Sequence, residues 1–326
     1  MEELRRDEVI SLATDVSLGE VAHPSVQARG AGAEFLLGLA SLTRPGTLLF
    51  AGTPGLATLL LIWHGSVPIA PLPAVSAIAA PMLGLAGANA LDLARKGWLP
   101  RRFSRAQAFP LGILLLLCGA GAGIPLAMLS SRIGLSLGVG LAIIAVGYVA
   151  TERGIRESVL GDVAVLLGMG PVLAIVAALG QHRALGEEAA LVSVALGCLA
   201  LATLRARRLR DLAARKPQSP VWLARWSIGA LYVITFALVG YVAARPHGPH
   251  PALLIFIAFP EAVIAAHGAL HAGPANARQQ VMRATLGVAL RATLALLVGL
   301  ALNGAALLML RSGGSLWHEL TQGIFH

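Results

Sequence analysis

Cysteine is nearly absent from this 326-residue chain: only Cys118 and Cys198 occur, each inside an apolar run. That excludes a disulfide framework and any CxxC motif, and a thiol in such a run behaves as a small hydrophobe. Charge is scarce as well, at 13% of residues against 56% hydrophobic, and the mean hydropathy is +0.76. A soluble globule of this size needs more polar surface, so lipid is the expected solvent. Acids number 16 against 25 bases, which leaves a net charge of +9. The bases lie in short segments beside apolar runs with no stacking aromatics among them, which excludes nucleic acid as the partner. The first forty residues mix acids and bases and lack a basic stretch followed by an apolar core, so no cleaved signal is expected.

What the chain does have is apolar length. About 20 such residues carry a helix across the hydrocarbon core, and that measure places nine spans near 47–66, 70–91, 107–128, 133–150, 159–180, 187–204, 222–243, 251–270 and 284–310. The runs are rich in Leu, Ala and Gly and do not alternate, so they are helices and not barrel strands. The expected fold class is all-α, a polytopic membrane bundle. Its domains are a cytoplasmic segment 1–41, in which Glu2 to Asp15 has amphipathic character, a membrane domain 42–311 and a short tail 312–326. The glycines and alanines of GLAGANA, GAGAG and GLSLGVGLA read as small-residue contacts between helices.

The bases fall on alternate sides of these spans. Of 25 Lys and Arg, 20 lie on the face shared with the N-terminus, Arg132, Arg183, Arg245 and Arg311 lie on the other, and Arg291 is inside the last span. The positive-inside rule then makes the N-terminus cytoplasmic and the C-terminus external, in a membrane expected to be the bacterial inner one. Trp63, His64, His247, His250, Trp317 and His318 gather at the outer boundary as interfacial anchors, and Glu187 and Glu188 read as a solvated loop pair.

Polar chemistry collects on the cytoplasmic side. The segment 87–108 holds Asn89, Asp92, Arg95, Lys96, Arg101, Arg102 and Arg105, and the segment 204–218 holds Arg205, Arg207, Arg208, Arg210, Asp211, Arg215 and Lys216. Both read as loops after a span. Two such clusters either lie against anionic headgroups or converge on a phosphorylated ligand. A third segment, 148–171, adds Tyr148, Arg153, Arg156, Glu157 and Asp162. Asp92 and Asp211 close apolar helices, where a carboxylate is costly unless paired or functional.

One further span carries ionisable groups: LIFIAFPEAVIAAHGALHAG, with Pro260 as a potential break and Glu261, His267 and His271 in or near the membrane. Intramembrane charges are candidates for a transport path, and His267 and His271 have a spacing that metals accept. Interfacial packing for the histidines, and a salt bridge from Glu261 to Arg291, are the structural alternatives.

In the order of these motifs the chain resembles the UbiA superfamily of intramembrane prenyltransferases, most closely its menaquinone-type branch. Leu42-Thr43-Arg44-Pro45 is similar to that family's early Arg-Pro. Asn89-Ala-Leu-Asp92, with Arg101-Arg102-Phe103-Ser104 and Ala106-Gln107-Ala108, falls where the first aspartate motif and the following Arg-Pro segment stand. Tyr148, Arg153, Arg156 and Leu160-Gly161-Asp162, with Gly168 and Gly170-Pro171, resemble the fourth-to-fifth helix connection, and Leu209-Arg210-Asp211 falls at the second aspartate motif. The likeness runs from about 42 to 310.

The resemblance implies a nine-helix bundle around a central chamber and transfer of an isoprenyl group from a polyprenyl diphosphate to an aromatic or other lipophilic acceptor. It implies Mg2+ on Asp92 and Asp211 as the catalytic and metal-holding acids. It also implies diphosphate-binding bases among Arg101, Arg102, Arg156, Arg208, Arg210 and Arg215, and a chamber lined by Asn89, Tyr148 and Asp162. The chain departs from the family at that chemistry. Ala90 replaces the first motif's leading acid, Asp92 comes one residue early, Arg207 and Arg208 stand where asparagines are usual, and Arg215 stands where the second motif's last acid belongs. One carboxylate per motif makes a weakened Mg2+ site, and arginine forks that bind phosphate oxygens in pairs are the natural replacement. The alternative is a UbiA-fold protein without catalysis that binds or presents an isoprenoid or quinone lipid. Expected partners are membrane lipid, an isoprenyl diphosphate and a hydrophobic acceptor; nothing in the pattern selects an oligomeric state.

Overall fold

The computed structural model describes residues 38–43, 45–64, 68–97, 99, 103–129, 132–134, 136–140, 159–215, 222–246, 248–271 and 275–324. Among them there is no strand. The helices are α1 (Pro45–His64), α2 (Pro71–Lys96), α3 (Arg105–Leu129), α4 (Val159–Gly168), α5 (Pro171–Gly180), α6 (Glu187–Arg215), α7 (Trp222–Ala243), a 3-10 segment (His250–Ala258) running into α8 (Phe259–His271), and α9 (Ala275–Ile324). Seven stretches are long and apolar enough to cross a membrane: Pro71–Arg95, Arg105–Leu129, Val159–Gly180, Glu187–Leu209, Arg225–Ala243, His250–His271 and Ala277–Met309. These make the chain an integral membrane protein. The first expected span is the shorter apolar helix Thr47–Trp63, and most of the span at 133–150 lies outside the described residues, as does the N-terminal segment Glu2 to Asp15. Seven spans are therefore established among the described residues.

Helix length corrects the reading of the two basic segments. Most of each segment is helix and not loop: α2 continues through Asn89, Asp92 and Arg95, and α6 continues to Arg215. Ala, Leu and Arg are strong helix formers, and nothing interrupts them in α2 until Gly97, which caps it in the left-handed conformation (φ 70°). The last helix, α9, runs for 50 residues to Ile324. Hydropathy marks where a helix meets lipid and not where it ends.

The bundle is organised around α1, which packs on α2, α5, α6 and α9, while α6 packs on α4, α7 and α9. Its main core joins Phe50 of α1, Leu196 and Leu199 of α6, Ile228 and Phe236 of α7, Ile255 of the 3-10 segment and Leu296 and Leu300 of α9. A second cluster, Leu42, Ala90, Leu93, Ala94 and Ala108 with Phe103 against it, closes the end of the α2–α3 hairpin. Small residues bring α2 and α3 together, as expected: a Cβ on Gly87 would stand 2.7 Å from the Gly112 carbonyl oxygen. Ser104 starts α3, its N–H donating to Gln107 Oε1 at 3.1 Å, one half of a capping box. At the other end of the bundle Gln181 donates to and accepts from the backbone of Ala70, at 3.2 and 2.8 Å, fastening the α1–α2 connection to the end of α5.

Two spans are not continuous α-helices. The span Val159–Gly180 breaks at Met169-Gly170 between α4 and α5, and the break nests against α6. A Cβ on Gly170 would stand 2.5 Å from the Ser193 carbonyl oxygen, and one on Gly197 would collide with the carbonyl oxygen of Leu166. In the span His250–His271, Pro260 has no N–H to give the Phe256 carbonyl, and its ring crowds that oxygen. Nine residues there wind as a 3-10 helix before α8 begins. Phe256, Phe259 and Phe236 stack on one another there, with ring centroids 5.3 to 6.3 Å apart.

Candidate functional site

The strongest polar constellation lies where α6 leaves its apolar span. Asp162, in the first turn of α4, is 6% exposed. Its Oδ1 accepts from Arg208 Nη1 at 2.5 Å, and its Oδ2 pairs with Arg205 Nη2. Arg205 and Arg208 are three residues apart on α6 and so share a face, and the break at Met169-Gly170 with the Gly170–Gly197 approach sets α4 against that face. Both arginine side chains are themselves largely buried, at 21% and 14% exposure. Two guanidinium groups meet one carboxylate, which leaves a positive charge in excess. Arg208 Nε and Nη2 and Arg205 Nε, all buried, have no hydrogen-bond partner among the described residues. Buried donors without partners are costly, and an anion with several acceptor oxygens would satisfy them.

A second polar point ties α2 to the start of α1. Asn89 Nδ2 donates to the Thr43 carbonyl oxygen at 3.0 Å and to Thr47 Oγ1 at 3.2 Å, bracing the residues either side of Arg44-Pro45. Asp92, one turn further on, is half-buried. Arg105 folds back over the end of α2, its Nη2 reaching the Arg95 carbonyl oxygen at 3.5 Å.

Of the residues singled out by sequence, Asp162 and Arg208 are in direct contact, and Arg205, not among the chosen ligands, completes their site. Asn89 acts as a brace between helices, and Asp162 has both carboxylate oxygens on arginines. Asp92 and Asp211 stand on α2 and α6, both of which pack on α1 and α5. Arg101, Arg102, Tyr148 and Arg156 lie outside the described residues, as do Arg44, Arg153 and Glu157. Arg210, Asp211 and Arg215 form the last turns of α6, with their side chains outside the described residues.

Among the described residues, no three His, Cys, Asp or Glu side chains come together in a way that could hold a metal. With both oxygens of Asp162 engaged by arginine, this cluster fits an anion and not Mg2+. His267 and His271 stack on each other, with centroids 4.3 Å apart and His271 Nδ1 3.0 Å from the His267 carbonyl oxygen. That is the packing alternative and not a metal pair. Glu261 and Arg291 form the expected ion pair. Glu187, read from the sequence as only solvated, is bound by Arg245, which also donates to Tyr241 Oη at 3.0 Å.

No known family's sequence profile matches the chain, and no curated protein matches it. Among solved structures it is similar to one from a study of digeranylgeranylglyceryl phosphate synthase in membranes, with 13% identity and a TM-score of 0.48, over 82% of this chain and 99% of that chain.

Proposed function

We propose that this chain is a UbiA-like prenyltransferase of the membrane, transferring an isoprenyl group from a polyprenyl diphosphate to a lipophilic acceptor. The observation that supports it best is the Asp162–Arg205–Arg208 cluster: two buried arginines on one carboxylate, with donors that have no partner among the described residues, at the end of an apolar helix. A prenyl diphosphate has the matching form, with an apolar chain for the helices and phosphate oxygens for the guanidinium forks. The order of motifs from Leu42 to Asp211 supports the family reading, and the distribution of bases supports a cytoplasmic site in a bacterial inner membrane.

In the proposed reaction the bond between prenyl C1 and the diphosphate oxygen breaks, and its electron pair leaves on diphosphate. The acceptor's nucleophilic atom bonds to C1 and gives up its proton. Arg205 and Arg208 hold the departing oxygens and stabilise charge as it develops. Arg101, Arg102, Arg156, Arg210 and Arg215 are further diphosphate ligands in this reading, with Tyr148 on the acceptor side. Mg2+ enters only as the weakened site expected at Asp92 and Asp211, and the reading does not depend on it.

The test is turnover of radiolabelled geranylgeranyl and farnesyl diphosphate by the purified protein, with Mg2+ and with EDTA, beside Arg208→Gln, Asp92→Ala and Asp211→Ala. Release of diphosphate that is lost in Arg208→Gln supports the proposal, and loss in both aspartate variants and in EDTA assigns them the metal. A second reading has one observation in its favour, a single carboxylate in each motif, with Ala90 and Arg215 where further acids are usual: a protein that binds and presents an isoprenoid lipid without transferring it. Binding that survives EDTA without any diphosphate release would establish that reading instead.

A further inference from the structure

Glu261 of α8 and Arg291 of α9 pair on the outside of the bundle. Their side chains are 39% and 66% exposed. Both sit near the middle of their spans, His250–His271 and Ala277–Met309. Exposed apolar side chains surround them, Ile257, Val263 and Ile264 from the one element and Leu294 and Val298 from the other. The pair therefore stands at mid-depth on a surface otherwise suited to lipid. Intramembrane charges almost always face a bundle interior or water. The headgroups are about 15 Å away, half the hydrocarbon thickness, beyond the reach of an arginine side chain. The pair is also incomplete in itself, since a guanidinium has five N–H donors and one carboxylate cannot take them all.

We infer that this face is where two copies of the chain meet, the Glu261–Arg291 pair of one subunit closing on that of the other. Copies inserted in the same sense are related by a two-fold axis along the membrane normal, which brings identical residues to identical depth. Arg291 then faces the partner's Glu261, and Glu261 faces the partner's Arg291. Four charges alternate in a ring, with acceptors for the unused donors. An acyl chain offers no such acceptors, and a different protein would have to carry a matching pair at the same depth. The surface permits close approach: Gly287, one turn before Arg291 on the same stripe of α9, has nothing within 4 Å of the place a Cβ would take.

The experiment is subunit counting by single-molecule photobleaching of the full chain in bilayers at low protein density. Wild-type protein is expected as a dimer. Arg291→Glu sets four acids together and is expected to give monomers, while Glu261→Arg combined with Arg291→Glu restores alternation within and between subunits and is expected to recover the dimer. Gly287→Leu fills the open space without touching the ion pair, and is expected to lower the dimer fraction at least tenfold while the monomer keeps its helical content and melting temperature. A wild-type protein that is monomeric throughout, a dimer indifferent to both Arg291→Glu and Gly287→Leu, or a charge-swapped double variant that stays monomeric although folded, overturns the inference.

Discussion

Arg208 and Asp162, 46 positions apart in sequence, meet across 2.5 Å with most of both side chains out of reach of solvent. The carboxylate is the internal counterpart of the anion that the arginines would take from a substrate. Two consequences pull in opposite directions. The pair holds α4 on α6, and it occupies donors that a diphosphate needs.

Asp162→Asn is therefore expected to destabilise the protein and to strengthen anion binding together. Removing one partner of a buried ion pair costs about 3–5 kcal/mol, so the melting temperature in detergent should fall by several degrees. Adding inorganic pyrophosphate should restore more of it in the variant than it adds to the wild type. Equal pyrophosphate shifts in both proteins would mean that the arginines do not receive the ligand.

Asn89 predicts a different pattern. Its amide donates to a carbonyl and a hydroxyl at 3.0 and 3.2 Å, so Asn89→Ala should cost about 1 kcal/mol per bond lost. Asn89→Asp should cost more than Asn89→Ala, because a carboxylate has no proton for the Thr43 carbonyl and repels it. Thermal unfolding of the two variants side by side checks the order, and hydrogen exchange should rise first at the start of α1.

The break between α4 and α5 is set by lack of space. A Cβ on Gly170 would stand 2.5 Å from a backbone oxygen that cannot swing aside, so Gly170→Ala should destabilise by about 1–3 kcal/mol. It should also lower pyrophosphate affinity, since displacing α4 moves Asp162 away from Arg205 and Arg208. Gly138→Ala, at a position with nothing within 4 Å of the added carbon, is the neutral control.

Much of the helical layout is legible in the sequence because hydropathy reports it directly: the span placed at 222–243 is α7, Trp222–Ala243. The extents of α2, α6 and α9 are not legible that way. Lys and Arg clusters end an apolar run without ending a helix, and only a residue such as Gly97 does so. The site is half legible. Asp162 and Arg208 stand out as charges beside apolar helices, but their contact is a tertiary event that depends on Gly170 and Gly197 letting α4 approach α6. Arg205 had a signal of its own: it lies three residues before Arg208 on a helix and so shares its face. The role of Asn89 had none, since its partners are a backbone carbonyl and a hydroxyl 46 and 42 residues away.

The 3-10 winding of His250–Ala258 changes how this protein relates to the thickness of its membrane. A 3-10 helix rises about 2.0 Å per residue against about 1.5 Å for an α-helix, so nine residues of it add about 4–5 Å to the height of a 22-residue span. That length is held by Pro260 and the stacked phenylalanines, and it is released if the segment rewinds as α. Bilayers differ in hydrocarbon thickness by a few ångströms. The element next to the Glu261–Arg291 pair thus has a built-in means of matching them, by winding instead of tilting.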